Sequence, residues 1–399
     1  MSAASQAETE KPLAGIRVAD FTAMLAGPHC TRLLADCGAE VIKVEAPKGG
    51  DHIRHTAPLR DGTSAYFGHL NCGKRSLAVD LKAPRGLAVA RDLIATCDVL
   101  VENTRPGVMK RLGLDHASLA PAMPGLVYCS ISGFGQAGPR AEEPAYAMAI
   151  HALSGFDMTN LHYQADQDRP ANSGTFVADF LAGAYAFGAI QTALLARSRT
   201  GRGQNVDLAL MDAMLGMLAY ECQEAQFPQA VKRPVYGPLR TRDGFVIVAI
   251  VSQKNFEQLA DALDHPEWKT DPRFRDVAGR RDNWHAFMAG VEAWTLAHAA
   301  ADCETRLMAA GIPCARYQSV AEAMRDPQVA ARGLFVEARD AGGSFLAPQP
   351  PFRFADGTVG LSPQVPALGA DGGHVLREIL GYAEDEIAAL RDAGIVAGL

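Results

Sequence analysis

The feature that most constrains the fold is a strand–helix–strand pattern near the start of the chain. Residues 15–21 resemble a short buried strand, residues 26–34 a helix and residues 41–45 a second strand. Two strands and a connecting helix within roughly 30 residues form the unit from which parallel sheets are built. The alternation continues with strands at 76–80, 99–102 and 126–132 and helical segments at 86–96 and 108–112. The sequence therefore predicts an α/β fold with an open parallel, Rossmann-like sheet in a large domain.

The length of 399 residues predicts two domains rather than one core. Proline-rich stretches with weak periodicity indicate linkers at 226–239 and 326–370. The linkers separate a large domain, 13–225 together with 330–399, from a smaller α+β domain at 240–325.

Composition narrows the possible partners and the compartment. The net charge of −7 argues against nucleic acid as a partner. The eight cysteines form no C-x-x-C pair, which favours a reducing compartment such as the cytoplasm and argues against a metal site. Residues 1–12 are polar without an apolar core, so we expect a flexible tail and no signal peptide.

Asp179 stands immediately before an uncharged run, 180–196. The run is short and rich in alanine and glycine, so we expect a buried helix of a large core and no membrane span. An aspartate at this point is commonly a helix N-cap. A partly desolvated carboxylate can also act as a covalent nucleophile, and we expect Asp179 to serve both purposes.

A nucleotide site is the next candidate, because the fold class favours one. The first strand–helix loop, 22–28, lacks the G-x-G-x-x-G pattern of dinucleotide sites. Basic residues nevertheless cluster after the predicted strands: Lys43, Lys48, Arg54, Lys74, Arg75, Arg105, Lys110 and Arg111. They form either a solvated charged face or a site for a multiply phosphorylated ligand. The glycines of the loop 132–136 leave room for close approach of a ligand, or form a tight turn.

These segments together resemble the class III CoA-transferases, the family of formyl-CoA transferase and carnitine CoA-transferase. The similarity runs from about residue 13 to residue 398. It rests on the shared order of short motifs, which are Ala26-Gly27-Pro28, the stretch 38–45, Gly50-Asp51, the stretch 71–76, Val101-Glu102-Asn103, the loop 130–136, the Asp179 segment, the turn 200–204 and Asp243-Gly244.

The resemblance implies an enzyme that moves CoA between carboxylic acids, with Asp179 as the catalytic nucleophile. It implies mixed-anhydride and aspartyl-CoA thioester intermediates, an acyl-CoA and a small carboxylic acid as substrates, and no permanently bound cofactor. It also implies an interlocked, ring-like homodimer. The residues it assigns to CoA are Met24, Leu25, Lys74, Asn103, Arg105 and Arg111. Those it assigns to the substrate pocket are Gly133, Phe134, Gly135, Tyr146 and His151.

The family also contains α-methylacyl-CoA racemases, which are the alternative function. Racemases need an acid and a base on either side of the α-carbon, and the matching positions here are Tyr146 and Gln253. Neither side chain is a base near neutral pH, which favours the transferase. The acceptor acid stays open. Departures such as Ala147 argue against formate and oxalate, and a small dicarboxylate is our expectation.

Overall fold

The computed structural model describes residues 11–164, 167–171, 173–230 and 233–399. The predicted flexible tail, 1–12, lies almost wholly outside the described residues. Its strands are β1 (Arg17–Phe21), β2 (Glu40–Glu45), β3 (Leu59–Arg60), β4 (Thr63–Ser64), β5 (Arg75–Val79), β6 (Val99–Glu102), β7 (Val127–Ser132), β8 (Asn205–Ala209), β9 (Leu239–Arg240), β10 (Phe245–Val248), β11 (Cys314–Arg316), β12 (Phe335–Asp340), β13 (Gly343–Pro348) and β14 (Val396–Ala397).

The α-helices are α1 (Ala26–Asp36), α2 (Ala65–Asn71), α3 (Pro84–Ala95), α4 (Val108–Leu112), α5 (His116–Leu119), α6 (Ala147–Leu153), α7 (Phe156–His162), α8 (Val177–Thr200), α9 (Leu210–Met217), α10 (Ala219–Gln226), α11 (Gln253–Ala262), α12 (Val277–Asp282), α13 (Trp284–Thr295), α14 (Ala300–Ala309), α15 (Val320–Ala323), α16 (Pro327–Ala331), α17 (Gly372–His374) and α18 (Glu384–Asp392). Two 3-10 turns, at His52–His55 and Pro266–Lys269, and a π-helical turn at Val375–Ile379 complete the elements.

The larger unit contains a seven-stranded sheet in the order β14-β5-β2-β1-β6-β7-β8. Six of these strands are parallel, and only β14 at the edge is antiparallel. The six parallel strands follow the 3-2-1-4-5-6 order of the Rossmann fold. The predicted open parallel sheet is therefore confirmed. Along the chain, β2 and β5 are added on one side of β1, and β6, β7 and β8 are added on the other side. The order in which strands are added therefore reverses between β1 and β6.

Apolar residues cover both faces of this sheet. On one face, α1 and α8 pack over β1, β6 and β7 in a core that includes Leu34, Val101 and Ile190. On the other face, α3 and the C-terminal helices pack around Leu77 and Leu100. Strands buried on both faces are typical of parallel sheets, and they explain the nearly continuous apolar runs in the sequence.

Helix α8 is longer than the predicted run, because it begins at Val177 and ends at Thr200. Within the described residues it is the one helix long and apolar enough to cross a membrane. Its buried residues form a stripe of mostly small side chains: Ala178, Ala182, Gly183, Ala186, Ile190, Ala193 and Leu194. This stripe packs in the first core, so α8 has the core position that the sequence predicted.

The smaller unit spans Gln223–Val329, and the larger one holds Met1–Cys222 and Ala330–Leu399. The smaller unit has a three-stranded antiparallel sheet, β11-β10-β9, and its own core around Phe256 and Phe287. These bounds are wider than the predicted 240–325. The predicted linker 326–370 instead contains the hairpin β12–β13 of the larger unit, whose strands pair along their whole length.

Candidate active site

The loop between β1 and α1 lies where the strand order of the sheet reverses. β1 has β2 on one side and β6 on the other. Ligands of open α/β sheets bind in the crevice at such a point, outside the carboxyl ends of the strands. The loop, 22–25, and Asn103, which follows β6, are therefore where a site is expected.

Asn103 fastens this loop to the end of β6. Its Oδ1 accepts the Ala23 N–H at 2.9 Å, and its Nδ2 donates to the Ala23 carbonyl at 2.8 Å. Both ends of the amide are thus used inside the chain. The structure places Asn103 as a clamp on the loop, beside the predicted CoA contacts at Met24 and Leu25.

Met24 and Leu25 differ in exposure, because Met24 is partly exposed and Leu25 is buried. The Met24 side chain is 41% exposed, and its backbone has a φ of +65°, which few residues other than glycine adopt. Its N–H donates to both carboxylate oxygens of Asp51, at 3.1 and 3.2 Å. Leu25 is buried in a small apolar cluster with Phe67. The next residue begins α1.

Asp179 lies in the first turn of α8, close to the start of α1. The N-cap of α8 is Phe176, so the prediction that Asp179 is the cap is wrong. The backbone N–H of Ala26, the first residue of α1, stabilises the ionised form of this carboxylate. The N-terminal ends of two helices therefore meet at this one carboxylate, and both favour negative charge there.

The environment of Asp179 changes its proton affinity. Burial raises the pKa of Asp179 to about 6, and the Ala26 N–H acts in the opposite direction because it stabilises the ionised form. At pH 7 such a carboxyl is still about nine-tenths ionised. It is also more basic than a solvated aspartate, so this side chain can serve as a nucleophile at neutral pH.

Tyr66 interacts with the charge of Asp179, and His29 packs against the next residue, Phe180. Burial raises the pKa of the Tyr66 phenol, and the charge of Asp179 adds to the effect. The His29 ring contacts the edge of Phe180 with ring centroids 5.0 Å apart. Burial lowers the pKa of His29 to about 4, and nearby cations act in the same direction, so its imidazole is neutral at pH 7.

His151 and Tyr146, both predicted to line the substrate pocket, have opposite positions. His151 is fully buried, and its Nε2 accepts the N–H of Ala178 at 3.1 Å, directly before Asp179. Burial lowers the pKa of His151, although Asp157 opposes the change, so the ring is a neutral acceptor. Tyr146 is 70% exposed. His151 thus supports the start of α8 from inside.

The local structure of the loop after β7 explains why glycine stands at positions 133 and 135. A Cβ on Gly133 would lie 2.1 Å from the Cβ of Ala145, so no larger residue fits there. Gly135 has a φ of +87° and donates its N–H to Ser132 Oγ at 3.0 Å. Phe134 packs partly buried against the first core. The tight-turn alternative accounts for this loop.

Lys74 is not at the surface. Its ammonium is fully buried and forms an ion pair with Asp20 at 3.0 Å. It also donates to Thr31 Oγ1 at 2.7 Å and to Asn71 Oδ1 at 2.8 Å. Burial lowers the pKa of Lys74 to about 8, against the attraction of Asp20. All three N–H bonds are thus directed into the protein, and the side chain acts as an internal tie in this structure.

The other basic residues divide into paired and exposed groups. Lys43 pairs with Asp51, Arg54 with Glu45, and Arg75 with Glu40 and Asp371. Four predicted cations stay exposed, which are Lys48, Arg105, Lys110 and Arg111. Arg105 and Lys110 line one cavity of about 280 Å³ at the ends of β6 and β7. Half of the basic cluster is therefore structural.

The sequence does not indicate the roles of two residues, Asp51 beside the loop before α1 and Tyr66 beside Asp179. Gly50-Asp51 was noticed only as a motif, and nothing in it indicates that Asp51 holds the loop before α1. Tyr66 had no signal, because a lone tyrosine in a helix is usually a packing residue.

Within the described part of the chain, no group of three or more His, Cys, Asp or Glu side chains could hold a metal ion.

Comparison with known proteins gives consistent results. The family model of CoA-transferase family III matches residues 13–372. The succinyl-CoA:glutarate CoA-transferase of Mus musculus is 31% identical, over 98% of this chain and 92% of the relative. The succinate–glutarate CoA-transferase of Agrobacterium fabrum is 35% identical, over 84% and 87%. The acetyl-CoA:oxalate CoA-transferase of Acetobacter aceti is 34% identical, over 89% and 92%.

Solved structures have the same fold. A CaiB/BaiF family protein from Brucella suis superposes with a TM-score of 0.81 at 34% identity, covering 93% of this chain and all of that one. A protein from Mycobacterium tuberculosis superposes with a TM-score of 0.83 at 27% identity, covering 91% of this chain and 99% of that one. The chain is thus a CoA-transferase enzyme and belongs to CoA-transferase family III.

Proposed function

We propose that this enzyme moves CoA from an acyl-CoA to a free carboxylic acid, with Asp179 as the covalent nucleophile. The observation that carries the proposal is the half-buried Asp179 carboxylate in the first turn of α8, with its pKa raised to about 6 and its ionised form stabilised by the N–H of Ala26 at the start of α1. A nucleophile needs a lone pair at working pH and a fixed direction. Asp179 is still mostly ionised at pH 7, burial makes its carboxylate more basic than a solvated aspartate, and the Ala26 N–H favours one orientation.

The first half of the reaction exchanges the acyl group for CoA. An Asp179 oxygen forms a bond to the thioester carbonyl carbon, the C–S bond breaks, and the CoA thiolate leaves with the electron pair. The product is a mixed anhydride. The thiolate then attacks the aspartyl carbonyl carbon, which releases the donor as a free carboxylate and leaves Asp179 as a CoA thioester.

The second half runs the same steps in the opposite order. The acceptor carboxylate attacks the aspartyl carbonyl carbon and releases CoA thiolate, which forms a second mixed anhydride. The thiolate attacks the acceptor carbonyl carbon of this anhydride. The new acyl-CoA forms and Asp179 returns as a free carboxylate. No net proton transfer is needed in either half of the reaction.

Negative charge develops on oxygen in each of these steps, and the start of α1 is placed to stabilise it. The Ala26 N–H already stabilises the ionised carboxylate in the resting enzyme. Donors that are already oriented contribute most to stabilising such charge. The Tyr66 hydroxyl, which feels the charge of Asp179, is a second candidate donor.

We further propose that the acids exchanged are dicarboxylates of four or five carbons. The relatives from Mus musculus and Agrobacterium fabrum, whose names specify succinyl-CoA or succinate together with glutarate, support this choice. The test is a panel of acceptors with succinyl-CoA as donor. We expect glutarate to outcompete oxalate and formate. Turnover confined to oxalate would contradict the proposed acids while leaving the role of Asp179 intact.

Covalent transfer is tested by mass spectrometry. The protein is mixed with succinyl-CoA and quenched with hydroxylamine, which converts an activated aspartyl group to a hydroxamate. We expect modification at Asp179 in the wild type and none in Asp179→Asn. The affinity of the variant for CoA should equal that of the wild type. A wild type without any adduct, together with exchange of α-deuterium in a 2-methylacyl-CoA, would replace the transferase with the racemase.

We also propose a homodimer in a reducing compartment such as the cytoplasm. Large apolar side chains on the surface of α8 support an interface, since Tyr185 is 50% and Leu195 62% exposed. Buried free thiols at six positions fit a reducing compartment, namely Cys30, Cys37, Cys72, Cys129, Cys303 and Cys314. Light scattering after gel filtration measures the mass, and a stable monomer would contradict the dimer.

A further inference from the structure

We propose that Asp51 is a positioning residue of this reaction: it holds the loop before α1 in the one conformation that directs the Ala26 N–H at Asp179. The inference rests on the proposed function of Asp179. Asp51 lies after β2, outside the catalytic contacts, and its carboxylate is buried. Nothing in the chemistry of CoA transfer requires a second aspartate at that place.

The loop needs to be held because of Met24. Its φ of +65° is a left-handed conformation, which costs free energy in any residue with a Cβ. The Met24 N–H lies 3.1 Å from Asp51 Oδ1 and 3.2 Å from Oδ2, so the carboxylate accepts it with both oxygens. This pair of contacts compensates for the left-handed backbone and fixes the direction of the chain.

Asp51 is itself fixed on the other side. Its carboxylate lies 3.0 Å from Lys43 Nζ and accepts the N–H of Ile53 at 3.2 Å. The same Lys43 ammonium donates to the Thr22 carbonyl at 2.7 Å. One lysine therefore connects Asp51 to the beginning of the loop, while the carboxylate holds its middle.

A single residue, Leu25, connects the held Met24 to Ala26, whose N–H acts on Asp179. Leu25 separates Met24 from Ala26 and is buried, so it transmits any rotation of Met24 directly to the start of α1. If Met24 moves to a negative φ, the Ala26 N–H no longer points at the Asp179 carboxylate. Loss of this donor raises the pKa of Asp179 further and leaves the attacking oxygen without a fixed direction.

The test compares four variants with the wild type. Asp51→Asn replaces one of the two accepting oxygens by an NH₂ group that faces either the Met24 N–H or the Lys43 ammonium. Adding Met24→Gly removes the cost of the left-handed backbone, and adding Met24→Ala keeps it. Asp80→Asn is the matched control, because Asp80 also accepts a backbone N–H two residues on, from Lys82, at a turn before α3.

The readout is the rate of the Asp179 adduct with succinyl-CoA as a function of pH, together with thermal melting. For Asp51→Asn we expect the midpoint of the pH profile to rise by about one pH unit, which slows the reaction about fivefold at pH 6 and little at pH 8. We expect Met24→Gly, and not Met24→Ala, to restore the profile. Asp80→Asn should keep it.

The outcomes separate the two proposals. If the wild type forms no adduct, the proposed function of Asp179 fails whatever Asp51 does. If the wild type reacts and Asp51→Asn has the same pH profile, the positioning role is refuted, even if melting drops. If neither Asp51→Asn nor its Met24→Gly form folds, Asp51 is a purely structural residue and the inference is also overturned.

Discussion

Replacing Asp179 with asparagine should make the protein more stable at alkaline pH while abolishing turnover. The ordinary pKa of an aspartate, 3.8, applies to the unfolded chain, whereas burial raises the pKa of the folded carboxyl to about 6. Ionised Asp179 is therefore a source of instability in the fold. Asparagine has nearly the same shape and never ionises, so it removes this effect.

The sign follows from proton binding. Between pH 3.8 and 6 the folded state binds more protons at Asp179 than the unfolded state. The stabilising effect of the protonated form is complete below pH 3.8 and is lost as the pH rises through 6. The total corresponds to about 3 kcal/mol of unfolding free energy. About 1.4 kcal/mol of it is lost between pH 5 and pH 8.

Urea unfolding of the wild type and Asp179→Asn at pH 5 and pH 8 measures this quantity. We expect the stability of the variant relative to the wild type to increase by about 1.4 kcal/mol from pH 5 to pH 8. Asp243→Asn is a control that should show no such pH dependence: the Ala300 N–H lowers the pKa of Asp243 from 3.8, so this carboxyl is ionised in the folded and the unfolded chain at both pH 5 and pH 8. A difference between wild type and Asp179→Asn that is the same at both pH values would refute a raised pKa.

Three further predictions concern the surroundings of the site. Gly183→Leu should separate α1 from α8, because even a Cβ there would lie 2.5 Å from a backbone oxygen of α1; we expect a loss of about 1–3 kcal/mol in urea unfolding and slower adduct formation. Lys74→Met should cost about 3–5 kcal/mol by leaving Asp20 buried and unpaired, and adding Asp20→Asn should recover most of it in the same assay. His151→Leu should cost about 1–3 kcal/mol, because the Ala178 N–H loses its acceptor; hydrogen exchange at Ala178 should then be faster, and unchanged exchange would contradict this role.

The sheet was predictable from the sequence because its signal is local. Each parallel strand is a short run rich in apolar residues, because most of its side chains are buried against helices on the two faces of the sheet. The strand order was not visible, since it depends on which strands pair. The hairpin β12–β13 escaped prediction because Pro348 and the neighbouring prolines resemble a linker.

The basic residues show the same limit at the level of side chains. Arg75 and Glu40 pair at 2.9 Å because β5 and β2 are neighbours, and Lys74 reaches Asp20 across 54 positions of sequence. From the sequence alone each cation could equally face solvent or a phosphate. The pairing of the strands decides which of these charges remain exposed, and a phosphate site at the exposed ones stays a prediction.

Of the two roles predicted for Asp179, the N-cap role is wrong and the nucleophile role stays a prediction. An isolated charge before a long uncharged run must be either solvated or held by specific partners. The sequence could not show that α8 begins at Val177, because Ser173 and Thr175 are also acceptable caps. The three-residue difference moves the carboxylate from the cap into the first turn, where it meets α1.

The groups that hold the loop before α1 and act on Asp179 include several backbone N–H groups. Every residue except proline has such a group, so the sequence does not show which of them take part in the site. The loop before α1 is held by Asp20 at the end of β1, Asp51 after β2 and Asn103 after β6, each of which accepts a backbone N–H of the loop. These three side chains converge because the strand order reverses at β1. The fold thus brings acceptors from three strand ends to one loop, which aims the Ala26 N–H at Asp179. Substitutions in these acceptors should therefore change the pH dependence of the reaction without touching either substrate.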